Sequence, residues 1–325
     1  MKKILLTGAS GFIGYHVAAY LLQNKHRVIA PVRQASVNNN NISLLKDKGL
    51  KIIEGFFYAD DVLKQAFAES LDGVIHLAAI RGEQNVPPSQ YQRVNVEGTG
   101  RLLRLTVREK VPKFIYGSSV GVYGTIPREQ PAGLRTSLQP DNLYHRSKRE
   151  AERLVEAAHK SGLNTIILRP TVTYGSGDNG FIPKLVRMVR HKRFPLSSRP
   201  VNIHLLSVNA LAQLMEKLLH RNHFDGNAYI VADREPVSLK QIADAVFHQA
   251  YQKPYPAVLR FPAAGFRVGE TFLKLTGQSR LLTSLRLISR SWTYDISQTI
   301  TQLEYNPQPT MESILPVIKE ILHAR

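Results

Sequence analysis

Two hydrophobic rhythms alternate along the first half of the chain. Short continuous apolar runs have strand length, and between them apolar residues return every three or four positions, as on a helix face. Ile4-Leu5-Leu6 reads as a buried strand, and Ile13, Val17, Ala18, Leu21 and Leu22 as the inner face of a helix that follows. Further strands are predicted at 27–33, 50–57, 72–79 and from 113, the last running into a Ser- and Gly-rich loop that ends at 124. Helices are predicted at 94–110 and 143–159, and a sixth strand at 164–169. Strands alternating with helices predict a Rossmann-type α/β fold, a doubly wound parallel sheet with right-handed crossovers.

Beyond Pro170 the rhythm breaks. A Gly-rich loop at 175–180 precedes a basic helix at 183–192, a strand at 201–206, a helix at 209–219 and a strand at 227–232, and the pattern from Ser238 onward is mainly helical. The expected organisation is a dinucleotide-binding domain over 1–174 with a return at about 201–232. A smaller, mainly helical substrate lobe is expected from 175–200 and 233–325.

The junction of the first strand and helix carries Thr7-Gly8-Ala9-Ser10-Gly11-Phe12-Ile13-Gly14. Free N–H groups and the positive end of the helix dipole converge there, which suits a pyrophosphate. Gly8 would permit the tight turn, Gly11 close approach of the phosphates, and Gly14 close packing of helix on strand. At the end of the second strand, where a dinucleotide-binding fold meets the adenine ribose, the chain has Arg33 and no acid nearby. A cation there favours the 2′-phosphate of NADP, whereas an acid would favour NAD. The fourth strand ends in Leu77-Ala78-Ala79, whose last two small side chains let a cofactor lie against the backbone.

Tyr144 and Lys148 are four apart on a predicted helix and so share a face. A free phenol, with a pKa of about 10, is a poor base at neutral pH, and a neighbouring ammonium favours its ionised form. Such a pair can take a proton from an alcohol, or return one, while a nicotinamide exchanges the hydride.

Taken together, these motifs resemble the extended branch of the short-chain dehydrogenase/reductase superfamily, the NAD-dependent epimerase/dehydratase group. The resemblance rests on Thr7-Gly8-x-x-Gly11-x-x-Gly14, His76-Leu-Ala-Ala79, Asn95-Val-Glu-Gly98, Ser118-Ser-x-x-x-Tyr-Gly124, Tyr144-x-x-x-Lys148 and Leu168-Arg-Pro170, in that order and spacing. It implies Tyr144 as acid/base, Lys148 as its partner and a ligand of the nicotinamide ribose, and Ser119 as the hydroxyl that polarises the substrate oxygen. Ser118 is the neighbour open to confusion with Ser119, and Asn95 a support rather than a catalyst. Gly8, Ser10, Gly11, Phe12, Ile13, Gly14, Arg33, Leu77, Ala78, Ala79, Tyr144 and Lys148 would hold the cofactor. A homodimer joined through the helices at 94–110 and 143–159 is also implied.

Departures from the family pattern narrow the reaction. Phe56 follows Gly55 where an Asp often meets adenine, and Ser207-Val-Asn209 stands where another Asp is common. Val120-Gly121 follows Ser119 in place of the Asp-Glu pair of the 4,6-dehydratases, and the chain has no Cys for epimerisation beside a ketone. What remains is oxidoreduction at a secondary alcohol or ketone, or 4-epimerisation of a nucleotide sugar. A rival of another class is a non-catalytic NADP-binding sensor or partner-binding protein.

Composition adds a charge question. Forty-three Lys and Arg against 25 Asp and Glu give a formal net charge of +18. Residues 183–200 carry six cations and no acid, and residues 251–290 carry seven cations, one acid and many Leu and Phe. A basic, apolar lobe suits an anionic or lipid-like small-molecule substrate, or peripheral contact with an anionic membrane. No nucleic acid is expected, because no reading helix or aromatic RNA motif is present. Metal catalysis is not expected either: His220 and His223 look like cations at a helix end. The three-residue apolar run near the start leads into the glycine turn, so no signal peptide and a cytoplasmic location are expected.

Overall fold

The structure, a computed structural model, describes residues 1–82 and 86–323. The chain divides into two compact units. The first comprises Met1–Val122, Pro140–Pro170 and Val208–Val231. The second comprises Tyr123–Gln139, Thr171–Ser207 and Ala232–Arg325.

The first unit is built on a seven-stranded parallel sheet. Its strands are β1 (Lys3–Thr7), β2 (Arg27–Val32), β3 (Lys51–Glu54), β4 (Gly73–His76), β5 (Phe114–Gly117), β6 (Thr165–Pro170) and β7 (Ala228–Val231). They lie in the order β7-β6-β5-β4-β1-β2-β3. Helices cover both faces of such a sheet, so its strands read as unbroken apolar runs rather than alternating ones; Ile4, Leu5 and Leu6 are fully buried. Helix α1 (Phe12–Gln23) buries Gly14, Val17, Ala18 and Leu21, the three- and four-residue spacing of one helical face. The other helices used below are α2 (Gly98–Arg108), α3 (Leu143–Lys160) and α4 (Val208–His220), the last packed on α1.

The first unit differs from the sequence reading in two places. The strand expected at 50–57 stops at Glu54, because Gly55 takes φ +138 and turns the chain. The helix expected from 94 starts earlier and opens as a π-helical segment, Gln92–Glu97, that runs directly into α2.

The second unit contains three two-stranded sheets and helices at Phe181–Arg190, Leu239–Tyr251 and Thr310–His323. It also carries α5 (Ala263–Leu275) and α6 (Ser279–Ser289). The strand expected at 201–206 is two short pieces, Asn202–Ile203 and Leu205–Ser207. Between them the buried His204 ring bonds the carbonyls of Tyr294 and Asp233, partners distant in sequence. Among the described residues no helix is long and apolar enough to cross a membrane.

Candidate active site

In a parallel sheet the connections leave both neighbours of a switch point in opposite directions, which opens a crevice at the carboxyl ends of the strands. Here that point lies between β1 and β4. A cleft of about 550 Å³ opens there, lined by Gly8, Ser10, Gly11, Arg33, Leu77, Ala78 and Ala79 among others.

The glycine turn is shaped by close approach. Gly8 has φ +85, and a Cβ on it would lie 2.7 Å from the Ala78 nitrogen. A Cβ on Gly14 would lie 2.0 Å from the Gly8 carbonyl oxygen, so that residue sets how closely α1 meets β1. Gly11 is the N-cap of α1 and has no side-chain acceptor for the first-turn N–H groups, those of Phe12, Ile13 and Gly14. Those N–H groups are free for an anion. Thr7 fixes the opposite wall: its hydroxyl accepts from the Leu77 and Ala78 N–H groups at 3.2 Å each. His76, buried and held neutral by desolvation, bridges Thr7 and Thr99. The residues present therefore fit a dinucleotide: a glycine cradle that a Cβ would fill, unspent N–H donors, and a backbone-lined crevice.

Two residues of this cleft, Tyr58 and Arg93, escaped the sequence reading, and Phe56 reads there only as a missing acid. Phe56 and Tyr58 stack at 5.3 Å between ring centroids, and the Arg93 guanidinium lies over the Tyr58 ring at 5.6 Å. In place of the acid common beside adenine, the cleft has an aromatic wall and a second guanidinium with Arg33. The Gly55-Phe-Phe-Tyr58 run was the available signal; it read as the end of a strand.

Ser119, Tyr144 and Lys148 belong to the same unit but do not line this cleft. The Ser119 hydroxyl lowers the pKa of the Tyr144 phenol and accepts from the Gly121 N–H at 3.0 Å. Ser118 points elsewhere, donating to Glu152 at 2.6 Å. Geometry thus separates the two serines. Lys148 is buried, its Nζ donating to the Gly117 carbonyl at 2.5 Å and lying 4.3 Å from the centre of the Tyr116 ring. Burial pushes its pKa down to about 7, against the opposing pull of Glu152.

The electrostatics differ from the simple expectation that an ammonium lowers the phenol. Burial raises the Tyr144 pKa, and the groups that oppose burial are Arg81 and Ser119. Lys148 is not among them: its amine is turned to the Gly117 carbonyl and the Tyr116 ring. Arg81 was also missed. It follows Ile80, whose N–H and C=O are both bonded by the Asn95 amide at 2.8 and 3.0 Å. Asn95 also donates to Ser147 at 2.8 Å, and Ser147 donates to the Tyr144 carbonyl. The cleft-lining Ile80 and the Tyr144 helix are therefore tied through one amide on the π-helical segment. Segments of this kind often re-aim a side chain at a functional site.

One further cluster has metal-ligand spacing among the described residues: His26, Glu216 and His220. His26 Nδ1 accepts the Lys2 N–H, so its Nε2 carries the proton and donates it to Glu216. A metal-bound imidazole has the reverse arrangement, with a bare ligating nitrogen and the other N–H donated. The cluster is a hydrogen-bonded tie between α4 and the start of β2.

Known proteins place this geometry in a family. The chain is 27% identical over 324 residues to a UDP-glucose 4-epimerase of Vibrio cholerae, covering 96% of this chain and 92% of the relative. It is 26% identical to a 2-alkyl-3-oxoalkanoate reductase of Stenotrophomonas maltophilia (strain K279a), covering 98% of each. A crystal structure of UDP-glucuronic acid 4-epimerase from Bacillus cereus in complex with NAD superposes with a TM-score of 0.76 at 22% identity, over 98% of this chain and 99% of that one; this likeness shows a shared fold. The sequence profile of the NAD dependent epimerase/dehydratase family matches residues 4–232. The chain belongs to that family and is an enzyme of the extended short-chain dehydrogenase/reductase type.

Proposed function

We propose that the chain transfers a hydride between a nicotinamide cofactor, NADP by preference, and a secondary alcohol or ketone. The observation that carries this reading is the hydroxyl pair of Tyr144 and Ser119, in the same unit as the glycine-lined cleft. A phenol with a raised pKa is protonated at neutral pH and is therefore poised to donate, which suits reduction of a ketone. When bound, a nicotinamide dinucleotide supplies or accepts the hydride.

The chain's own residues do the rest. Tyr144 gives its phenolic proton to the substrate oxygen in reduction and takes it back in oxidation. Ser119 turns its single hydroxyl proton to the same oxygen once substrate is bound. Lys148, one turn along α3, is the amine that in its charged form favours ionisation of Tyr144 and bonds the nicotinamide ribose. Gly8, Ser10, Gly11, Phe12, Ile13 and Gly14 offer backbone N–H groups and close approach to the pyrophosphate. Leu77, Ala78 and Ala79 form the floor, and Arg33 takes the 2′-phosphate.

A second reading is 4-epimerisation of a nucleotide sugar, supported by the likeness to the V. cholerae enzyme. It uses the same phenol and needs no further base, and it differs in consuming no cofactor. Net oxidation of one NADPH per ketone reduced separates the two.

Arg33 gives the sharpest test of the cofactor preference. NADPH is expected to bind at least tenfold more tightly than NADH, and Arg33→Ala to erase most of that ratio by weakening NADPH alone, a loss of about 1.5–3 kcal/mol for a charge-assisted bond. Titration monitored by cofactor fluorescence reads both constants. Equal affinities in the unmodified enzyme would remove the role assigned to Arg33.

A further inference from the structure

The outer side of α5 has the wrong polarity for a surface left in water. Val268, Phe272 and Leu275 recur at i, i+4 and i+7 and so share one face. They are 70%, 60% and 83% exposed. Leu281 on α6 and Val258 and Phe261 just before α5 are exposed as well, Val258 to 84%. The opposite face of α5 is spent on packing: Phe266 is buried, Glu270 binds Arg290 through both carboxylate oxygens, and a Cβ on Gly269 would sit 3.2 Å from Leu285. The pair of helices is thus held from within, and its apolar stripe faces outward.

The free charges that the segment 251–290 contributes have one sign. Glu270 is the only acid in 251–290, and it is used up by Arg286 and Arg290. Lys253, Arg260, Arg267, Lys274 and Arg280 have no acidic partner in any ion pair found among the described residues. Arg267 and Lys274, seven apart, run along one side of the stripe on α5. Arg260 also lines a hollow of about 270 Å³ with Arg199 and Lys240, the last already paired to Asp244.

An apolar stripe rimmed by cations fits an anionic lipid surface. Apolar side chains enter the acyl boundary, while Lys and Arg remain at the phosphates. A second copy of the chain fits less well, because a two-fold contact sets the same patch against itself and brings like charges together. We infer that the α5–α6 face docks the enzyme on anionic membranes as a peripheral, non-spanning contact. This inference is independent of the reaction assigned above.

Co-sedimentation of the full chain with vesicles tests it. The protein is expected to pellet with phosphatidylglycerol/phosphatidylcholine vesicles at low salt, to stay in solution with pure phosphatidylcholine, and to be released as salt rises. The triple variant Val268→Ser/Phe272→Ser/Leu275→Ser and the pair Arg267→Glu/Lys274→Glu should each weaken binding about tenfold or more while leaving cofactor affinity unchanged. Phe272→Trp should give a blue-shifted emission only with the anionic vesicles. Absence of binding, or binding indifferent to these substitutions, would overturn the inference. So would a concentration-dependent dimer in the vesicle-free protein that the serine variant abolishes, since the stripe would then be a subunit interface.

Discussion

Tyr144→Phe is expected to lower turnover by about 10²–10⁴-fold, the usual share of a positioned proton donor. The change removes one oxygen and leaves the ring in place. The ring is held independently of its hydroxyl, because α3 is fixed through Ser147 and Asn95 and by the buried side chains of Ala151, Glu152 and Val155. Folding and NADPH affinity should therefore match the unmodified enzyme. Steady-state oxidation of NADPH with a ketone substrate, beside a cofactor titration, reads both quantities. Loss of affinity together with rate would assign the hydroxyl a structural role, and retained turnover would remove the proton-transfer assignment. Ser119→Ala should fall in the same direction by less, since Tyr144 still holds the oxygen.

The largest stability effect is expected at Glu152. Its side chain is fully buried and accepts two bonds from Arg169, at 2.8 and 2.9 Å, and one from Ser118. Arg149 approaches it from the partly exposed side at 3.2 Å. Glu152→Ala strands the Arg169 guanidinium, which is itself buried, and breaking such a pair costs about 3–5 kcal/mol. In a unit of this size that corresponds to a fall of roughly 10 °C in melting temperature. The loss has a functional side. The same carboxylate anchors Ser118, the residue before Ser119, and opposes the burial that depresses the Lys148 pKa. Differential scanning calorimetry checks the first effect. Turnover measured well below the melt checks the second, with Glu152→Gln, which keeps an acceptor for Ser118, expected to retain more activity than Glu152→Ala. An unchanged melting temperature would mean that water enters and satisfies Arg169.

How far this site can be read from the chain depends on what each residue's neighbours are. The first strand and its glycine turn are legible because burial on both faces imposes an apolar run and because Gly8 and Gly14 answer to steric limits only a few ångströms away. Helical spacing puts Tyr144 and Lys148 on one face, but spacing says nothing of where a long side chain ends. The Lys148 amine is turned to the Gly117 carbonyl by contacts that sequence does not encode locally. The π-helical segment at Gln92–Glu97 is hidden for a related reason: six residues are too few to set up a period distinct from that of an α-helix. Phe56 and Tyr58 have strand-forming side chains, so the turn at Gly55 and the aromatic wall beyond it were masked. The break at His204 depends on carbonyls 29 and 90 residues away.

The central claim is that one dinucleotide, laid across the crevice between β1 and β4, spans from Arg33 to the Tyr144 hydroxyl. A crystal structure of the enzyme with NADPH measures this directly. The adenosine 2′-phosphate is expected on Arg33, the pyrophosphate on the first-turn N–H groups of α1, and the reactive carbon of the nicotinamide within reach of a substrate held by Tyr144 and Ser119. A nicotinamide ring directed away from Tyr144, or a dinucleotide bound outside the crevice, would contradict it.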